Sequence, residues 1–265
     1  MPQQSCAGRL QPLTAELAAS HLRQVRLVAT DMDGTLTVGE EFGPALLTGL
    51  ASLRQANLSV IVTTGRSAGW VSGLLHYLPV SAAIAENGGV YFTKQRPQPV
   101  YLQNIAQDHR PRLRRQFERL QQRYTELVES SDNRFRLTDW TFDVAGLQRS
   151  DLQWLGDCCR DHGWGFTYSS IQCHIKLPAQ DKAAGLAAVM AQDFQQLRRE
   201  QVVTVGDSPN DESLFNPAQF PCSVGVANVR HYLEQMAHHP ALVTTVSEGN
   251  GFCELVQHLL AVAVA

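Results

Sequence analysis

The sequence has no excess of either charge. In 265 residues, 22 lysines and arginines stand against 25 aspartates and glutamates, for a formal charge of −3. That near balance excludes a chain built to coat nucleic acid or an anionic membrane surface. No apolar run approaches the roughly 18 residues that a membrane helix needs. Cysteine is sparse: Cys6, Cys158, Cys159, Cys173, Cys222 and Cys253, with no C-x-x-C pair and two direct neighbours. This excludes a zinc ribbon and a small disulfide scaffold, and predicts reduced, mostly buried thiols in a cytoplasmic protein. Residues 1–24 are polar and lack the apolar centre of a secretory leader, so they are expected to form an N-terminal extension. No internal repeat or low-complexity tract occurs. What is present is 44% hydrophobic residues, enough for a sizeable core in one large domain or two modest ones.

Apolar runs and helical periodicities alternate along the first third of the chain. Residues 25–30, 57–66 and 81–89 read as buried strands, and residues 44–56 and 67–77 as the helices between them. This alternation predicts a parallel sheet with helices on both faces. The middle changes character. A hairpin over 89–103, a basic amphipathic helix over 107–128, a strand over 135–144, a helix over 150–162 and strands over 165–169 and 172–177 read as an inserted α+β domain covering 89–178. The helix's arginines read as a solvated face. The alternation then resumes, with helices over 181–197, 209–215, 229–236 and 251–262 and strands over 201–207, 222–227 and 241–245. Residues 25–88 and 179–265 are therefore expected to share one discontinuous core domain.

In a parallel α/β sheet, functional groups gather where strands end and helices begin. Here Asp31 and Asp33 follow the first strand, Thr63 and Thr64 the second, Asn87 the third, and Asp207 and Asp211 the strand over 201–207. Singly, such residues are turn formers or helix caps. Together they point to one constructed site. Two carboxylates two residues apart repel unless a cation or proton lies between them. A divalent metal resolves that conflict and also neutralises a phosphoryl group beside it. Lys182 follows Asp181, a good N-cap, so it falls at a helix start where a cation opposes the helix dipole. A group aimed at a phosphate gains from that placement. Lys176, in a strand six residues earlier, is its rival for the role.

The segment Asp31-Met32-Asp33-Gly34-Thr35 resembles the first motif of the haloacid dehalogenase (HAD) superfamily. The likeness continues in order with Thr64 in TTGR, Lys182 in DKAAGL and GDSPND over 206–211. AENGG, SVGVAN and EGNGF resemble the branch called subfamily IIB, which carries a large α/β cap between its second and third motifs. The resemblance covers 25–260 and implies a Rossmann-like core with that cap. It implies Asp31 as a nucleophile that becomes an aspartyl phosphate, and Asp33 as the acid and then the base. Thr64 would donate to phosphoryl oxygens, and Lys182 would balance charge. Mg²⁺ would be held by Asp31, the backbone carbonyl of Asp33 and Asp207, with Asp211 as a further ligand or an outer support. Asn210 would hold phosphate or a metal-bound water. Gly65, Arg66 and Asn87, at neighbouring strand ends, are candidates to touch substrate.

The expected function is a Mg²⁺-dependent phosphatase of a small phosphomonoester, acting without nucleic acid or membrane; the resemblance implies a sugar phosphate or phosphoglyceryl glycoside as its substrate. A phosphomutase of the phosphomannomutase type is the alternative. A phosphorylated receiver is a third reading, disfavoured by the size of the insertion and by the second aspartate. Arg134, Arg136, His174 and Lys176 in the insertion are candidates to read a second anionic or hydroxyl-rich group, against plainer roles as surface or strand residues. Nothing in the sequence marks an oligomeric state.

Overall fold

Continuous apolar strands are stable only where helices cover both faces of their sheet. The computed structural model describes residues 10–264. In chain order its elements are β1 (Gln11–Pro12), α1 (Ala15–His21), β2 (Leu27–Thr30), α2 (Pro44–Gln55), β3 (Ser59–Thr63), α3 (Ala68–Tyr77), β4 (Ala82–Ala85), β5 (Val90–Thr93), β6 (Arg96–Tyr101), α4 (His109–Gln121), β7 (Trp140–Asp143), α5 (Arg149–Asp161), β8 (Gly165–Tyr168), β9 (Gln172–Lys176), α6 (Lys182–Asp193), β10 (Val202–Gly206), β11 (Cys222–Gly225), β12 (Leu242–Val243) and α7 (Glu248–Val264). Nine strands form one sheet in the order β1-β12-β11-β10-β2-β3-β4-β5-β6, and three form another in the order β7-β9-β8. The first seven of the nine run parallel, so their carboxyl ends share one edge.

Successive residues of β2 serve opposite faces. Val28 packs in one core with Leu46 and Leu50 of α2, Val71 of α3 and Phe252 of α7. Leu27 and Ala29 pack in the other with Leu186, Val189 and Met190 of α6. Each fully buried Leu or Val of this kind contributes about 1.5–3 kcal/mol. The inserted unit has a core of its own. Leu113, Phe117 and Leu120 of α4 and Leu155 of α5 pack on Trp140, Phe142 and Ile175 of the three-stranded sheet.

The structure redraws the expected boundaries. The hairpin β5–β6 belongs to the nine-stranded sheet, where β5 pairs antiparallel with β4, and not to the inserted unit. The insertion therefore begins after Tyr101 rather than at 89. Residues 10–24 are part of the core and not an appended extension: β1 pairs with β12, and Ala18 and Leu22 are buried in the core that holds α7. The expected strand over 135–144 is a 3-10 turn (Ser131–Phe135) followed by the shorter β7. The expected helix over 229–236 is two 3-10 turns. Among the described residues five cysteines are free thiols, and no helix is long and apolar enough to cross a membrane; Cys6 lies outside them.

Candidate active site

β2 and β10 are neighbours at the centre of the sheet, and each hands the chain directly to an aspartate. The Asp31 N–H donates to the Val205 carbonyl at 2.9 Å, which fixes Asp31 beside the end of β10. After Asp33 the chain must turn back within contact of Asp207. Gly34 makes this possible: its φ is +77°, and a Cβ there would lie 2.7 Å from Asp207 Oδ2. Asp207 is oriented from both sides. The Thr35 hydroxyl donates to its Oδ1 at 3.0 Å, and the Asn228 amide to its Oδ2 at 2.9 Å. Asn228 also donates to the Gly34 carbonyl and accepts from the Glu248 N–H. Sequence reading met Thr35 and Asn228 only as letters of longer motifs.

Asp181 caps α6 by accepting from the Ala184 N–H, as its position predicts. That starts the helix so that Lys182 reaches inward and is fully buried. Its Nζ donates to Asp31 Oδ1 at 2.5 Å and to Asp211 Oδ1 at 2.6 Å. The other oxygen of Asp211 accepts from the Asp207 and Ser208 N–H groups. Lys176, the rival, donates instead to the Gln180 carbonyl and does not enter this cluster.

Asp31, Asp207 and Asp211 each bring an oxygen within 4.8 Å of the other two. All three are buried, and one ammonium faces them. Burial, then the charges of Asp211 and Asp33, push the Asp31 carboxyl up to about 7 in spite of Lys182. Burial and the charges of Asp31 and Asp211 raise Asp207 well above the usual carboxylate range. Burial opposes the charge on Lys182, but Asp211 and Asp31 outweigh it and raise its pKa. Three carboxylates against one ammonium leave two negative charges without a partner, and every donor in the group is a hard oxygen. That set fits a divalent cation such as Mg²⁺.

The Asp33 side chain is not one of these three. Arg66 grips it in a fork, with Nη2 at 2.7 Å from Oδ1 and Nε at 3.0 Å from Oδ2. Thr64 is buried, and its hydroxyl oxygen accepts from the Arg66 N–H at 3.1 Å, which leaves its own proton free to be donated. Asn210 donates to Asn87 Oδ1 at 3.1 Å, while its own oxygen accepts from Ser208. The Asn87 amide nitrogen is buried with no hydrogen-bond partner among the described residues. It is thus a spare donor at the site's edge.

Ser169, Ile171, Gln172 and His174 of the inserted unit face Asp31, Asp33, Gly65, Arg66 and Asn210 across a cavity of about 10 Å³. That volume suits a single water and is too small for a phosphoryl group. Gly65 is where the two halves meet. Its carbonyl accepts from Arg136 at 2.9 Å, and a Cβ on it would lie 3.1 Å from His174 Nε2. Arg136 is not free to read an anion: it is buried against Asp132, Asp139 and Gln172. Arg134 is exposed and stacks on Phe135.

Glu86 fastens the junction. Glu86 and Asn87 both sit in the left-handed region, at φ +54° and +51°. The buried Glu86 carboxylate accepts from the N–H groups of Ala68, Leu137 and Thr138 and from the Thr138 hydroxyl. Gln180 donates to its backbone carbonyl at 2.6 Å. It therefore ties the start of α3 to residues 137–138 of the inserted unit, while its backbone holds Gln180, where the chain returns to the core.

The chain matches the haloacid dehalogenase-like hydrolase family over residues 28–140. It is 27% identical over 248 residues to a phosphoglycolate phosphatase of Methanothrix thermoacetophila, covering 89% of this chain and 98% of that one. A Thermoplasma acidophilum crystal structure superimposes with a TM-score of 0.73 at 21% identity, covering 90% and 99% of the two chains. A sugar phosphatase of HAD subclass IIB shares the fold with a TM-score of 0.66 at 13% identity, covering 88% and 98%.

Proposed function

Since the chain belongs to the haloacid dehalogenase-like hydrolases and is a phosphoric monoester hydrolase, we propose that it hydrolyses a small phosphomonoester with Mg²⁺ through an aspartyl phosphate on Asp31. The carrying observation is the buried group of Asp31, Lys182, Asp207 and Asp211, with its two uncompensated negative charges. When bound, Mg²⁺ would offset that charge and the charge of the phosphoryl group, held by Asp31, Asp207 and the backbone carbonyl of Asp33. Asp211, whose two oxygens serve Lys182 and the Asp207 and Ser208 amides, supports these ligands.

The chain's own residues divide the rest of the work. Lys182 holds Oδ1 of Asp31, and the other oxygen forms the bond to phosphorus as the ester P–O bond breaks. Asp33, once out of its ion pair with Arg66, takes up a proton from solvent and gives it to the leaving oxygen, then takes one from the water that attacks phosphorus and frees Asp31. That release leaves the Arg66 guanidinium free to turn toward an arriving phosphate. The Thr64 hydroxyl and the spare Asn87 amide donate to phosphoryl oxygens. The inserted unit acts as a cap that closes over the small substrate and excludes bulk water.

The phosphatase names of the relatives support hydrolysis over phosphoryl return to sugar. The substrate class proposed is a sugar phosphate or phosphoglyceryl glycoside, with phosphoglycolate as the competing compound that the relatives' names supply. The test is phosphate release from p-nitrophenyl phosphate with Mg²⁺ and with EDTA. Turnover that requires Mg²⁺ is expected; equal turnover in EDTA rejects the metal-dependent mechanism.

A further inference from the structure

Three buried side chains of the inserted unit form a line that ends in the cavity. Arg136 Nη1 lies 3.0 and 3.1 Å from the two oxygens of Asp139, and Nη2 lies 2.9 Å from Gln172 Oε1. Asp139 Oδ2 then accepts from His174 Nδ1 at 2.9 Å. Arg136 also donates to the Gly65 carbonyl, so the line is registered against the residue that follows Thr64.

This arrangement fixes the histidine's chemistry. Burial alone would raise the Asp139 carboxyl, but Arg136 and His174 outweigh it and hold it below the usual range. An ionised carboxylate has only acceptors, so the hydrogen of this bond sits on Nδ1. Nε2 then faces the cavity beside Gly65 and takes no hydrogen bond among the described residues. Burial lowers the imidazole's pKa, and Arg136 and Lys182 oppose a further positive charge, so Nε2 keeps its lone pair.

The cations around the cavity are already engaged. Lys182 holds Asp31 and Asp211, Arg136 holds Asp132 and Asp139, and Arg66, which holds Asp33 here, is taken up by the phosphate when it turns from that carboxylate. Among the described residues that line this cavity, a carboxylate on the substrate would find no further cation, whereas a hydroxyl needs only an acceptor.

We infer that His174 sets substrate preference by accepting a hydrogen bond at Nε2 from a hydroxyl on the alcohol portion of the phosphomonoester. Asp139 and Arg136 are positioning residues that hold the ring in this orientation. The inference rests on the phosphatase reading above and narrows it to polyol and sugar phosphates over carboxylated ones.

The test compares kcat/KM for glycerol 3-phosphate, for propyl phosphate, which has the same chain without hydroxyls, and for phosphoglycolate. It uses the wild type, His174→Ala and His174→Gln. The wild type should prefer glycerol 3-phosphate to both others by about tenfold or more. His174→Ala should bring the ratio of glycerol 3-phosphate to propyl phosphate close to one, through KM more than kcat. His174→Gln, whose amide oxygen can accept in the same place, should restore part of it. A wild-type ratio near one, a wild-type preference for phosphoglycolate, or a ratio unmoved in His174→Ala overturns the inference. The phosphatase reading is judged separately, because it fails only if the wild type also releases no phosphate from p-nitrophenyl phosphate.

Discussion

Nζ of Lys182 lies 2.5 Å from Oδ1 of Asp31, and both groups are buried. Asp31→Asn keeps an oxygen for that ammonium and removes the proposed nucleophile. We expect phosphate release from p-nitrophenyl phosphate to fall at least about 10³-fold, with an unchanged circular-dichroism spectrum. Retained turnover would eliminate Asp31 as the attacking group.

Acidity at Asp31 should be visible in stability. Its carboxyl is raised from 3.8 to about 7, so between those values the folded chain holds a proton that the unfolded chain has released. The sign follows: this residue's contribution to stability falls as pH rises through that window. Asp207 and Glu86 are raised by burial and act in the same sense, whereas His174 and His109 are lowered by burial and act oppositely. Subtracting the Asp31→Asn denaturation curve leaves the contribution of Asp31 together with its coupling to Asp207. In EDTA, wild type minus variant should decline from about pH 4 to about pH 7. A difference that grows with pH contradicts the assignment.

Metal should stabilise the fold through the same acids. A ligand at a hundred times its Kd adds about 2.7 kcal/mol, which for a chain of this size raises Tm by roughly 5–10 °C. We expect Mg²⁺ to produce a shift of that order in the wild type and little in Asp207→Asn, measured by calorimetry with and without EDTA. Equal shifts in both proteins would place the ion elsewhere.

Glu86→Ala should loosen the junction between the two units. It strands the buried N–H groups of Ala68 and Thr138, each costing about 1–3 kcal/mol, and the partly buried N–H of Leu137. The expected result is a lower urea midpoint together with faster proteolysis between α4 and β7. An unchanged cleavage rate would show that Glu86 does not hold that connection.

How much of this was legible from sequence depended on the range of the interaction. The alternating strands and helices of the core are local periodicities, and they placed Asp31, Thr64, Asp207 and the start of α6 at one edge. Lys182 was separable from Lys176 by its helix-start position, and the structure puts only Lys182 among the acids. The hairpin over 90–101 was visible as a hairpin, but its pairing with β4 is a tertiary choice that neither strand encodes alone. β1 has two residues and therefore no period to detect. Glu86 and Asn228 act through partners far along the chain, so their motifs gave letters without roles. Arg136 looked available because a guanidinium is normally solvated; its burial follows from three partners at once.

The position of β2 has a consequence for how the chain is made. Val28 pairs with Val60 on one side and Val203 on the other. The first partner follows it closely, but the second emerges only after the whole insertion has been translated. At about 5–20 residues per second, the strand that leads into Asp31 keeps an open apolar edge for roughly ten seconds or more. Open edges are where intermolecular pairing begins. The insertion, with a core of its own, can assemble during that interval. Synthesis therefore leaves β2 among the last strands to be sealed, and a nascent-chain chaperone would have its clearest target there.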